Sequence, residues 1–538
     1  MKKLLLFIAL IPFIGFSQPF DFSAKTFDFQ SVYYPNSDSL KLTLTNSSGF
    51  DIGVEGITVF SLYGIEPFFV KDSVFTMTVG NSHDVWIYFE PEQNILHEMF
   101  AVVRTDFRGD YLVRLTGKGK FSNTYYDGTY NKNEEDLKAA MKSITSSGHV
   151  DLGYTGARDR MFMNIDNQKV NGQGEPTNTI EGVYTGQLIV GYVDRIDAQN
   201  QGFNTEHTFP QGFFNSNLPM RSDLHHLFPT NAQANSERSN LQFGVVTNPT
   251  WAVGGSKKGN GVFEPRDEQK GQVARAMFYF VVRYQDYSNH VLGQEAILRQ
   301  WFAQYPPNAV DITRNNDIYT YQKNRNPFVD YPQFLKRISK ISGNSVTDTT
   351  RSIYVSRDTV DMRFQKDSLL YTVSVINTGY GMLNLTDFTI SDTTHFTLEN
   401  PNQNVFMPPG EGFEIKIRVW PGSFTDVTEH LTFNTGLPNM PTVDIVLEGE
   451  WGSVSVPEKE LVAEPKLYPN PTQNNVIISW ENQGAYEVKI YSLVGSLMYF
   501  EQVTTSSKNI DVSNLPAGVY VVQTSNGNVV KQVSLIVQ

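Results

Sequence analysis

The spacing of hydrophobic positions changes several times along the chain. From residue 20 to 120 they alternate. Leu40-Lys41-Leu42-Thr43-Leu44 and Val85-Trp86-Ile87-Tyr88-Phe89 place apolar side chains on one face of an extended strand, with Pro and Gly between the runs. Between residues 121 and 345 the period lengthens. Leu137, Ala140, Met141 and Ile144 recur at helical spacing, as do Val273, Ala276, Met277, Phe280 and Val281. The spacing predicts helices from Glu134 to Ile144 and from Gln272 to Tyr284. Alternation returns over 346–450. A stretch with Gly452, Pro457, Pro465 and several Glu, 451–465, reads as a linker. Residues 466–538 read as a last small β unit, with strands from Asn474 to Trp480, Tyr486 to Tyr491 and Val519 to Thr524.

The two outer β regions match one another. Asp38-Ser39-Leu40 running into Leu44-Thr45-Asn46 aligns with Asp367-Ser368-Leu369 running into Val375-Ile376-Asn377. Both regions close on Leu-x-Gly, at Leu115-Thr116-Gly117 and Leu447-Glu448-Gly449. About seven short strands in each resemble an Ig-like β-sandwich, and neither carries a catalytic constellation. The expected role of both is spacer or docking module.

The start of the chain adds an address. Met1-Lys2-Lys3, an apolar run from Leu4 to Phe16, and then Ser17 predict a secretory signal peptide over 1–17. No later run is long enough for a membrane helix, so no membrane span is expected once the signal is cleaved. A length of 538 residues fits several domains. Cysteine is absent, which excludes disulfides, thiolate metal sites and cysteine nucleophiles. The net charge is -13, but residues 121–345 hold 22 basic and 22 acidic side chains. The acidity therefore belongs to the flanking regions, and the centre keeps no net charge to repel a polyanion.

The chemistry concentrates in that centre. His207, His225 and His226 lie close together among carboxylates and amides, in Asn204-Thr205-Glu206-His207-Thr208-Phe209-Pro210, Arg221-Ser222-Asp223-Leu224-His225-His226-Leu227-Phe228-Pro229 and Asn235-Ser236-Glu237-Arg238-Ser239-Asn240. The pattern predicts two short strands and a helix, the helix beginning at Pro229 with Phe228 or Thr230 near its cap. Glu206 and the Asn235 amide oxygen are hard oxygen ligands, suited to Mg²⁺ (or Ca²⁺ or Mn²⁺). His207 titrates near neutral pH and suits a general base. Consecutive strand residues face opposite ways, so Glu206 and His207 share a site only if the strand bends or ends there.

These motifs, in this order, resemble the bacterial endonuclease I family of extracellular and periplasmic deoxyribonucleases, which use a ββα-metal motif. The resemblance spans roughly residues 125–340. It includes Tyr125-Tyr126, Tyr154-Thr155-Gly156-Ala157-Arg158, Gly271 to Met277, and Gln322-Lys323-Asn324-Arg325-Asn326-Pro327-Phe328-Val329-Asp330. It implies an α+β nuclease domain over 121–345, between the Ig-like sandwiches that the strand pattern gives at 20–120 and 346–450. The implied activity is metal-assisted cutting of DNA, and often RNA, with little sequence preference, leaving 5′-phosphate ends. The implied general base is His207, with Glu206 and Asn235 as metal ligands.

Arg221 and Arg238 are the candidates for a catalytic arginine on the phosphate. Asp223, His225, His226 and Asn240 are expected to support the site. The family often has His then Asn where this chain has His225-His226. Arg275 is a candidate substrate contact, in competition with a buried ion pair. The alternative reading is an inactive, nuclease-like surface adhesin. No His-Glu-x-x-His pairing supports a metalloprotease.

The tail adds a second resemblance. Leu467-Tyr468-Pro469-Asn470-Pro471, Tyr491-Ser492-Leu493-Val494-Gly495, Leu515-Pro516-Ala517-Gly518-Val519-Tyr520 and Lys531-Gln532-Val533 are similar to the C-terminal sorting domain of type IX secretion. It implies a small β-sandwich over 466–538 that engages that machinery. The expected product is a secreted or surface-attached monomer.

Overall fold

The structure is a computed structural model. It describes residues 20–449 and 465–538, apart from 61–64, 107–108, 286–287, 363–367, 402, 421–426, 481–484, 494 and 527–528. The signal peptide expected at 1–17 and nearly all of the expected linker lie outside the described residues. The chain divides into two compact units, Met1–Trp451 and Gly452–Gln538.

In the first unit, residues 20–121 form two sheets. Their strand orders are Phe20–Phe22, Asp38–Asn46, Ser82–Phe89, Phe68–Val70, and Thr26–Tyr34, Asp110–Phe121, Leu96–Thr105, Ile52–Val59, Phe75–Met77. Alternation is the cause: Leu42, Leu44, Val85, Ile87 and Phe89 point into a shared apolar layer while Lys41, Asp84 and Trp86 point out. Residues 353–449 repeat the plan strand for strand, from Ile353–Val355 to Met440–Gly449, around their own core. The matched asparagines explain one recurring residue. Asn46 donates to the carbonyls of Phe50 and Met77, and Asn377 donates to those of Gly381 and Met407, so each clamps the loop that leaves its strand.

The sandwiches are joined through buried polar contacts. Asp110 is fully buried and paired with Arg357 at 3.0 Å, and the Ser374 hydroxyl donates to the Asp110 carbonyl. The first sandwich also grips the central region. Phe121 stacks on Tyr331 with centroids 3.7 Å apart, and Arg337 donates to the side chain of Asn94 at 2.6 Å.

The centre is built around the helix Asp267–Tyr284. It is buried on nearly every face, including Val273, Ala276, Met277, Phe280 and Val281. Asp267 and Glu268 sit in its first turn and Arg283 in its last, matching the helix dipole. The helix Glu134–Ser146 lays Leu137, Met141 and Thr145 against the core. Asn308 and Asp311 form a capping box on the helix Ala309–Gln322. No helix among the described residues is long and apolar enough to cross a membrane.

The second unit is two sheets. Lys466–Tyr468, Asn475–Ser479 and Ser507–Asp511 make one, and Leu497–Val503, Tyr486–Ser492, Gly518–Asn526 and Val529–Val537 the other. Val476, Ile478, Val488, Ile490 and Val522 fill the layer between them.

Candidate active site

Two strands and a helix carry the clustered residues. Phe203–His207 pairs antiparallel with Leu227–Asn231, Phe203 opposite Asn231 and His207 opposite Leu227. The helix Ala232–Arg238 follows at once. Its start differs from the expected one. Pro229 lies in the second strand, opposite Thr205, and the cap is Asn231, whose side chain accepts from the backbone N–H of Gln233 and Ala234. Pro229 lacks an N–H, but its carbonyl accepts from Val183, so the strand loses no bond it needs there.

The first strand ends at His207, and its last two residues meet different neighbours. The Glu206 carboxylate is buried. Its Oε1 accepts from the Tyr184 hydroxyl at 2.8 Å and lies 3.2 Å from Arg238 Nε, without hydrogen-bond alignment. Both contacts fall on Oε1, so Oε2 takes no protein donor among the described residues. Burial pushes the Glu206 carboxyl upward, while Arg238 and Tyr184 pull it down. Asn235 is half-buried on the following helix and donates through Nδ2 to the Thr205 carbonyl at 3.1 Å. That bond turns the amide and leaves Oδ1 as a free acceptor. An open carboxylate oxygen and an open amide oxygen are the donor set of a hard divalent cation, so these residues fit one.

His207 faces the other way. Its Nε2 meets the Arg221 carbonyl at 3.3 Å, and its ring packs against Tyr154 and His226, both at 5.6 Å between centroids. A carbonyl only accepts, so Nε2 carries the proton and Nδ1 holds the lone pair. Burial depresses its pKa well below the ordinary value, with His226 next, so the ring is neutral near pH 7.

The supporting residues form a rigid floor. Asp223 is fully buried and accepts from Tyr279 and Tyr284 on one oxygen and from Gln322 and the His225 N–H on the other. Arg283 stands 3.5 Å away. His225 contacts the Asn324 carbonyl through Nε2, and His226 contacts that of Met220. Asn240 is at the surface beside Gly212 and makes none of these contacts.

Two of the candidate arginines are buried. Arg238 has no exposed surface. It donates to the carbonyls of Ser239 and Thr208, stacks over Phe243 and neutralises Glu206, so it has no face for a substrate. Arg275 is 3% exposed, paired with Asp311 at 2.7 Å and bonded to the Tyr305 carbonyl. The buried ion pair is the arrangement found for Arg275, in place of a substrate contact. Arg221 is different: half-buried, its guanidinium lies 4.0 Å from the Tyr154 ring centroid beside His207. Tyr154, Arg158 and Tyr184 are parts of this neighbourhood to which the sequence attached no role. The four-residue spacing of Tyr154 and Arg158 on one helix face was the available signal.

Burial sets a pH limit on the fold. His97, His225, His226 and His290 are all buried, and burial lowers each from 6.5 to about 4. The unfolded chain therefore binds more protons between those values. Each histidine removes up to about 1.4 kcal/mol of stability per pH unit as pH falls from 6.5 towards 4. The unfolding free energy from urea titration is expected to drop by several kcal/mol between pH 7 and pH 5. A flat profile would contradict the neutral, buried assignment.

The comparisons with known proteins decide the lineage. The endonuclease I family model matches residues 133–333. Over 239 residues the chain is 30% identical to the extracellular ribonuclease of Bacillus amyloliquefaciens, spanning 40% of this chain and 78% of that protein. The chain belongs to the endonuclease I family. The extracellular ribonuclease of Bacillus subtilis (strain 168) is equally similar, 30% identical over 236 residues with the same two coverages. An extracellular deoxyribonuclease of Aeromonas hydrophila is 31% identical over 117 residues, 21% of this chain and 50% of that protein. This member is an endonuclease. Its residues 466–538 match a secretion system C-terminal sorting domain, so the enzyme is secreted or held at the cell surface.

Proposed function

We propose that this endonuclease is a monomeric, divalent-metal-dependent phosphodiesterase that cuts DNA, and RNA as well, with little sequence preference and leaves 5′-phosphate ends. The observation that carries the reading is the state of His207. Its Nε2 is turned to the Arg221 carbonyl and its ring is neutral, so Nδ1 is left to accept a proton from water. Arg221, beside it, supplies positive charge for the phosphate. Glu206 and Asn235 hold the cation, Mg²⁺ being the expected ion. When bound, the cation stabilises charge on the phosphate and the leaving oxygen. Tyr184 and Arg238 fix the orientation of Glu206, and Asp223 fixes the turn before His225 and His226. The two sandwiches act as Ig-like spacer or docking modules, and the tail engages the type IX secretion machinery.

The test is degradation of plasmid DNA and of RNA by purified protein across Mg²⁺, Mn²⁺ and Ca²⁺. Exhaustive EDTA treatment is expected to stop cleavage, and Mg²⁺ to restore it. Activity that survives EDTA would remove the metal from the reading. An inert protein under every metal would favour a binding role.

A further inference from the structure

Tyr154 sits between two cations. The Arg158 guanidinium lies 4.2 Å from its ring centroid and that of Arg221 lies 4.0 Å from it. Both guanidiniums therefore pack on one ring, close enough for each to feel the other's charge. Among the described residues neither has an ion-pair partner, and the Nε of each is buried with no hydrogen-bond partner. The acid nearest in sequence to Arg158, Asp159, is taken by Arg195 at 2.6 Å. The same tyrosine ring packs against His207. Two guanidiniums without ion-pair partners among the described residues, held next to the proposed base, repel one another, and an anion with two negative centres relieves that repulsion.

We infer that Arg158 is a substrate-binding residue that takes the phosphate next to the scissile one, with Tyr154 as the spacer that sets its distance from Arg221. The ligand class is a nucleic acid strand with at least two consecutive phosphates. This rests on the nuclease reading but extends it, because it assigns a second phosphate position and predicts a length requirement. Arg158 reaches it from the helix Gly153–Arg160, four residues after Tyr154. The whole device is therefore one helix face plus the Arg221 side chain.

Binding tests it without cleavage. A fluorescent single-stranded oligonucleotide is titrated in EDTA over a range of salt, using the full chain and its Arg158→Ala and Arg158→Lys variants. Arg158→Ala is expected to weaken binding and to lower the slope of log affinity against log salt by about 0.7, the share of one phosphate contact on a single strand. Arg158→Lys is expected to keep the slope.

With Mg²⁺, the wild type is expected to cut d(pTpT) at least tenfold more efficiently in kcat/KM than d(TpT), and Arg158→Ala to lose that ratio. An unchanged salt slope in Arg158→Ala, or an unchanged ratio, would overturn the assignment. Because the salt slope is read in EDTA, it stands whether or not the metal reading does.

Discussion

His207→Ala is expected to slow DNA cleavage by two to four orders of magnitude, the usual contribution of a positioned general base, with the fold retained. The size of the loss follows from what the ring alone supplies. Nδ1 of His207 keeps its lone pair beside Arg221, whereas Nδ1 of His226 is sealed in the interior and His225 and His226 hold the floor through the Asn324 and Met220 carbonyls. Survival of the fold follows from how lightly the ring is tied. Its one hydrogen bond is long, at 3.3 Å, and it takes part in no ion pair among the described residues.

The deletion removes packing against Tyr154 and His226, a cost of about 1–3 kcal/mol. It leaves Glu206, Asn235, Tyr184 and Arg238 where they are. Metal binding should therefore persist while turnover fails. Plasmid nicking, a thermal melt and a metal titration on the same preparation read all three. Cleavage at the wild-type rate would sink the assignment of the base.

The sequence made the scaffold of this site legible because each of its parts is local. Strand alternation, helical period and the Glu206-His207 to Asn235 order all lie within short windows, and the ββα arrangement follows from them. The repeated sandwiches were legible for the same reason, down to Asn46 and Asn377. Partners that come from far along the chain were not. Arg275 looks like any other arginine on a helix until Asp311, 36 residues on, closes over it. Arg238 reads as a phosphate ligand until the Thr208 carbonyl and Glu206 surround it. Tyr184 is 22 residues before the carboxylate it holds. The opposite directions of Glu206 and His207 were expected from the pleat. What the pleat does not say is that the strand stops at His207, which lets one side chain face Arg238 and the other Tyr154.

Glu206 is where stability and chemistry should come apart. Its carboxylate faces a buried guanidinium, and both side chains are exposed by 2% or less. Glu206→Gln keeps the shape and the contact with Tyr184 but strands the Arg238 charge in the interior. Breaking one side of a buried pair costs about 3–5 kcal/mol, and the two backbone carbonyls on Arg238 place this case at the lower end. The same change removes the carboxylate proposed to hold the cation, so cleavage should fall with it. Either loss alone has two explanations.

The double change Glu206→Gln with Arg238→Met separates them. Replacing both members of a buried pair is often neutral or stabilising, so the urea midpoint should recover most of its drop. Cleavage should not recover, because no oxygen of the right charge has returned. A double variant that regains cleavage would mean that Glu206 acts only by holding Arg238. A single variant as stable as the wild type would mean that the pair never balanced. Recovery of the midpoint without recovery of cleavage identifies Glu206 as the residue that serves both the interior and the ion.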